Sequence, residues 1–285
     1  MTSIAECRLE ARRKAETIPR GPEEEPSVDE RARRDDAVHE PPARRVSETR
    51  PSISARRADS GVHAFEIERA LIAKNDKIAR RIRNWLARRD IAALNFVSAP
   101  GAGKTTLLER SIELLAGRVA VSVIEGDQET ERDAERIRGT GASVVQVNTG
   151  TGGHLDASMV ERALSSLTPA PGSLLLVENV GSLVAPALYD LGENGKVLVA
   201  SVTDGEDKPL KYPHMFRAAR VLVINKIDLA PYVSFDVDRF IANVARVSRG
   251  IDDVFVVSAM RGDGMDAWCA WLDGCALRRR SGEPL

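Results

Sequence analysis

The stretch that most constrains this chain is Ser98-Ala99-Pro100-Gly101-Ala102-Gly103-Lys104-Thr105-Thr106, which joins the apolar run LNFVSA to the helical run LLERSIELL. A strand that turns through glycines into a helix N-terminus aims several backbone amides into one cradle, and the helix dipole adds positive potential there. Such a cradle binds phosphate oxygens. Gly101, Ala102, Gly103, Lys104, Thr105 and Thr106 form the expected binding set. Lys104 is placed to reach the β and γ phosphates of a nucleotide, and the Thr105 hydroxyl to ligate Mg2+. The pattern G-x-x-x-x-G-K-[ST] is met except at its first position, where Ser98 stands for glycine. A position that needs no positive φ tolerates that exchange.

After Ala92, short apolar runs alternate with helical stretches. LNFVSA, RVAVSVIEG, SVVQVNT, SLLLVENV, KVLVASV, RVLVINKI and DVFVVSA read as strands. KTTLLERSIELLAG, ERDAERIRG, LDASMVERALSSL, VDRFIANVARVSRG and MDAWCAWLDGCALRRR read as the helices between them. Strands of nearly continuous Val, Ile and Leu are buried on both faces, as parallel sheets require. The expected fold is therefore α/β: a P-loop NTPase with a mostly parallel sheet flanked by helices, over residues 91–285. Upstream, Phe65, Ile67, Leu71, Ile78, Ile82, Trp85 and Leu86 recur at helical spacing, which predicts an amphipathic helix at 63–90 packed on that domain. Residues 1–62 hold six of the 14 prolines among mixed Arg and Glu. That composition buries too little apolar surface to offset ordering entropy, so a disordered tail is expected.

The base is indicated by Asn225-Lys226-Ile227-Asp228, directly after the run VLVI. A carboxylate at Asp228 accepts from both N1–H and the exocyclic amine of guanine, whereas adenine would leave it unpaired at a cost of several kcal/mol. Asn225 is expected to brace neighbouring loops and the Lys226 stem to cover the base. Ser258-Ala259, 30 residues after Asp228, supplies a second guanine element, with the Ala259 amide donating to O6. GTP is the expected ligand, and a kinase or ATPase is disfavoured. Asp127 and Glu178 each end an apolar run, where a parallel sheet presents residues to its ligand crevice. Asp127 is read as a Mg2+ ligand and Glu178 as the residue beside the metal or attacking water, with Lys104 completing the catalytic set. The Gly181 amide is placed to sense the γ phosphate. No Gln or arginine finger follows, so hydrolysis is expected to be slow.

Composition closes off other classes. Lys plus Arg number 41 against 42 Asp plus Glu, which argues against a nucleic-acid binder. No apolar run approaches the ~18 residues of a membrane span, and MTSIAECRLEARRK has no secretory apolar core. The three cysteines suit a reducing compartment, so a cytoplasmic protein is expected. Cys269 and Cys275, six residues apart on one helix, are related by a rotation of about 240° around its axis, on different faces, and cannot chelate one ion.

Together with these motifs, VIEGDQET, DAERIRGTGASVVQVNTG, GHLDASMV, ENVGSLVAP, LGENGKVLVASVTDGEDKPLKYPHMF and NKIDLAPYV give the chain its resemblance to the HypB family. These are SIMIBI-class P-loop GTPases that incorporate nickel during [NiFe]-hydrogenase maturation. The resemblance covers roughly residues 65–275. It implies a GTP-dependent homodimer that works with a maturation partner protein and the hydrogenase large subunit. It also implies a nickel or zinc site at the dimer interface, built from two cysteines and a histidine. Here the cysteine positions hold Gly153 and Ala185, and only His154 remains, with Asp156 nearby. The N-terminal nickel motifs of many members are absent as well. One imidazole per subunit gives at most a weak Ni2+ or Zn2+ site, and a hydrogen-bonded loop histidine is the competing reading. Two alternatives stay open on the residues alone. One is a GTP-dependent scaffold or regulator that no longer handles metal, and the other is a metallochaperone GTPase for a different metalloenzyme.

Overall fold

Alternate residues of each strand serve opposite faces, and here both faces are covered. The computed structural model describes residues 53–127, 132–150 and 153–282, with side chains from residue 69 onward. Strands β1 (Ala92–Ser98), β2 (Val121–Asp127), β3 (Ser143–Asn148), β4 (Leu174–Glu178), β5 (Gly195–Ser201), β6 (Val221–Asn225) and β7 (Asp253–Val256) correspond one for one to the seven apolar runs. They form one sheet in the order β3-β2-β4-β1-β5-β6-β7. Every neighbouring pair is parallel.

Helix α1 (Ile53–Ala87) leads into the sheet. It begins ten residues before the apolar pattern at 63, and positions 1–52 of the expected tail lie outside the described residues. Then come α2 (Lys104–Leu115), α3 (Arg132–Gly139), α4 (Ala157–Leu167), α5 (Ala185–Leu188), α6 (Lys208–Lys211), α7 (Pro213–Ala218), α8 (Val237–Val247) and α9 (Met265–Arg280). On one face, Leu94, Phe96, Val123, Leu174 and Leu176 meet Leu107 and Leu108 of α2 and Trp268 and Leu272 of α9. Trp268 Nε1 donates to Ser111 Oγ at 2.8 Å, tying α9 to α2. On the other face, Ala93, Ile124, Leu175 and Val177 meet Ala79, Ile82 and Leu86 of α1 and Val160 and Leu164 of α4. Leu198, Leu222 and Ile224 meet Phe216 of α7 and Phe240 of α8.

Cys269 and Cys275 are core residues, their thiols pushed up by burial to about 11 and about 12. Phe216 is buried, whereas Tyr212 and His214 are exposed. No described helix is long and apolar enough to cross a membrane. The sheet brings the C-terminal ends of β1, β2 and β4 side by side, and the next residues of each build the site.

Candidate functional site

Gly103 caps α2 at φ +89°, and a Cβ there would sit 2.7 Å from Asn225 Nδ2, so glycine is required twice over. Lys104 follows, nearly buried, with Nζ donating to Ser98 Oγ at 3.0 Å. The serine that breaks the glycine pattern is thus a hydroxyl rest for the ammonium group. Burial lowers the Lys104 pKa, and the Glu178 carboxylate opposes that shift.

The Thr105 hydroxyl donates to Glu178 Oε1 at 2.7 Å. Beside Glu178, in register across β2 and β4, lies Glu125, a buried carboxylate outside the recognisable motifs. The Oε2 atoms of both glutamates are buried without a hydrogen-bond partner. Burial pushes Glu125 up to about 8, aided by the charges of Glu178 and Asp127. Burial likewise pushes Glu178 to about 7, against the pull of Lys104. Among the described residues no three His, Cys, Asp or Glu side chains converge on one point. A hydroxyl, one carboxylate and a second carboxylate alongside nonetheless suit Mg2+, which takes oxygen ligands and fills its remaining positions with water and phosphate oxygens. Asp127 closes β2 at the rim, two residues from Glu125 and therefore on the same strand face.

These carboxylates carry a pH signature. Folding favours their neutral forms, so their contribution to stability is full below about pH 4.5 and is lost as pH rises through 7 to 8. Thermal scans in EDTA should show the melting temperature falling between about pH 5 and 8, and Glu125→Gln should flatten that slope. An unchanged slope in the variant would count against a buried ionisable Glu125.

Gly181 lies on the phosphate loop: a Cβ there would meet Pro100 Cα at 3.1 Å. Arg136 of α3 donates to Thr106 Oγ1 at 3.0 Å and to Glu109 at 2.6 Å, a second contact the motifs did not reveal.

Around the N-K-x-D motif, Asn225 is the joint. Its Nδ2 donates to the Ala102 carbonyl at 3.1 Å, and its Oδ1 accepts from the Lys226 and Ala259 amides at 2.8 and 3.1 Å. The Ala259 amide, read from the sequence as a donor to guanine O6, is thus engaged with Asn225. Lys226, at φ +62°, sends Nζ to the Gly101 carbonyl at 2.6 Å, laying its stem across the loop. Ser258 Oγ donates to Asp228 Oδ1 at 2.6 Å and orients that carboxylate.

His154 stands apart from this cluster. Its ring packs on Tyr189 with centroids 4.3 Å apart and planes tilted by 31°, which sets the 153–155 loop against the segment that begins at Ala185. Asp156 is the N-cap of α4, accepting from the Met159 amide at 2.8 Å and the Ser158 hydroxyl at 2.7 Å. Its carboxylate therefore already serves the helix.

Residues 92–254 match the CobW/HypB/UreG nucleotide-binding domain family. The hydrogenase maturation factor HypB of Rhizobium leguminosarum bv. viciae is 50% identical over 236 residues, covering 80% of this chain and 79% of that protein. HypB of Escherichia coli K12 is 49% identical over 223 residues, covering 78% and 74%. Among solved structures, HypB from Archaeoglobus fulgidus has a TM-score of 0.67 at 36% identity, covering 72% of this chain and 99% of that one. HypB from Helicobacter pylori, solved in complex with nickel, also has a TM-score of 0.67, at 33% identity, covering 74% and 98%. The P-loop, the guanine-type motif and these relatives agree: the chain belongs to the HypB family of hydrogenase maturation factors.

Proposed function

We propose that this protein is a slow GTPase that assists nickel insertion into a [NiFe]-hydrogenase, closing as a homodimer on GTP and reopening after hydrolysis. The observation that carries this reading is the Asn225 joint, which fixes the guanine-type loop to the phosphate loop and so gauges one nucleotide. Bound Mg2+ would neutralise charge on the β and γ phosphates, held by Thr105 with Glu178 beside it and Asp127 at the rim. Lys104 would stabilise the charge developing on the transferred phosphoryl group. Glu178, with one oxygen committed to Thr105 and the other unpartnered, is placed to hold a water. The Gly181 amide, resting on the loop, would register the γ phosphate.

With Gly153 and Ala185 in place of thiolates, the nickel is held mainly by a maturation partner and the hydrogenase large subunit, and His154 contributes at most a weak Ni2+ or Zn2+ contact. The test is sedimentation velocity on the tag-free protein in Mg2+–GDP and in a Mg2+–GTP analogue, with phosphate release from GTP. Equilibrium dialysis against Ni2+ and Zn2+ is run on the same samples and on His154→Ala. A dimer confined to the GTP analogue, with measurable turnover and weak metal binding, is expected. Tight GTP binding with zero turnover would replace this reading by a GTP-dependent scaffold.

A further inference from the structure

Asn179 follows Glu178 and is 1% exposed, in the interior between the nucleotide site and the His154 loop. Its Oδ1 accepts from the Val180 amide at 3.0 Å and from the Leu155 amide at 3.4 Å. Its Nδ2 donates to Asn95 Oδ1 at 3.4 Å. Asn95, fully buried on β1, donates in turn to Glu193 Oε1 at 3.3 Å. Glu193 is held by Lys196 Nζ at 2.6 Å and by the Leu191 amide at 2.7 Å.

This chain has a fixed polarity. An ionised carboxylate only accepts, so Asn95 must turn its NH2 to Glu193 and its oxygen to Asn179. Asn179 must then turn its NH2 to Asn95, which leaves its oxygen facing the two amides. Buried amide side chains cost free energy unless they are paired at both ends, so none of these groups can rotate alone.

The two amides belong to different parts of the molecule. Val180 precedes Gly181, which rests on the phosphate loop. Leu155 follows His154 and seats its side chain on Gly126 of β2, where an added Cβ would lie 2.7 Å from its Cγ. Two residues on, the Ala157 amide is held by Asn75 Oδ1 of α1 at 2.8 Å, and Asn75 Nδ2 donates to the Asp190 carbonyl at 2.8 Å. The His154 loop is therefore strung between two asparagines, one on the nucleotide side and one on the N-terminal helix.

We propose that Asn179 is a positioning residue that couples the nucleotide bound at the phosphate loop to the geometry of the His154 loop. The coupling rests on the nucleotide-switch reading above. A displaced Val180 shifts the shared acceptor, and the Leu155 amide moves with it, while Ala157 stays pinned by Asn75. Coupling of this kind requires an element with two arrangements that both sites bias, and the comparison of the two nucleotide states below tests whether the shared oxygen and its two donors are that element.

Two measurements on the full chain at saturating nucleotide test the proposal. His154 lies over the Tyr189 ring, so ring current makes its imidazole resonance report loop position. In 13C-labelled protein that resonance, assigned with His154→Ala, should shift between Mg2+–GDP and a Mg2+–GTP analogue, and Asn179→Ala should abolish the shift. An undiminished shift in Asn179→Ala overturns the proposal. In wild-type protein, amide hydrogen exchange at Leu155 should change about tenfold between the two nucleotides while Ala157 stays constant. Equal changes at both amides, or none at either, overturn the proposal without recourse to a variant. Failure of the wild-type chain to bind the GTP analogue would be a separate result, and would remove the nucleotide reading together with the coupling built on it.

Discussion

Lys104→Ala is expected to lower GTP turnover at saturating Mg2+–GTP by at least about 100-fold, the scale on which removal of one preorganised charge from a phosphoryl-transfer site is felt. The ammonium is nearly buried, rests on Ser98 Oγ at 3.0 Å, and is the largest influence holding Glu178 down against burial. Its removal therefore acts twice: the phosphates lose a partner, and Glu178, already at about 7, is pushed further toward its neutral form. Phosphate release and the melting temperature measured side by side separate two roles. A cation that only fills its hole would on removal cost stability and leave turnover intact, and that outcome would overturn the P-loop assignment. A variant that folds, melts within a few degrees of wild type and releases no phosphate supports it.

The strands were legible because burial on both faces leaves a continuous apolar run, and all seven runs became strands. The order β3-β2-β4-β1-β5-β6-β7 was not, because it depends on where each crossover helix packs and no single run carries that information. The short helices α5, α6 and α7 carry no periodic signal in the sequence. Each spans only four to six residues, too few to show a period, although Pro186, Pro209 and Pro213 stand at their first turns as start signals. Helix α1 extends to Ile53 through ISARRADSG, where no apolar stripe marks it and side-chain periodicity gives no warning.

The site divides in the same way. Lys104, Thr105, Asn225 and Asp228 sit in contiguous motifs whose chemistry is local, so the sequence alone nominates them as candidates. Glu125 could not, since within VSVIEGD a carboxylate looks like the end of a strand. Its spacing of two from Asp127, which places both on one strand face, was the available signal. Asn95 and Asn179 were hidden for the opposite reason. A single amide in an apolar run gives no motif, and only the requirement that buried polar groups be paired marks it as part of a network. The Ala259 amide shows a further limit: sequence placed it in the base loop, but only geometry shows that Asn225 already takes it.

Asp228→Asn is expected to reverse the base preference, with xanthosine triphosphate overtaking GTP and GTP affinity falling at least about 100-fold. Ser258 decides how the new side chain sits. Its hydroxyl donates to Asp228 Oδ1 at 2.6 Å and accepts from the Arg261 amide at 3.1 Å, so an asparagine at 228 is favoured with its oxygen toward Ser258 and its NH2 in the place of Oδ2. Guanine then meets a donor with its own exocyclic amine, and two N–H groups face each other in a protected site, each left unpaired. Xanthine carries a carbonyl at that position and accepts from the new amide, so the pairing is restored with the direction of one hydrogen bond reversed. Competition binding with the diphosphates and triphosphates of guanosine, xanthosine and adenosine measures the ranking directly. A wild-type order that persists in the variant would remove Asp228 from the base site. A loss of all nucleotides alike would assign Asp228 to holding the Ser258 loop rather than to reading the base.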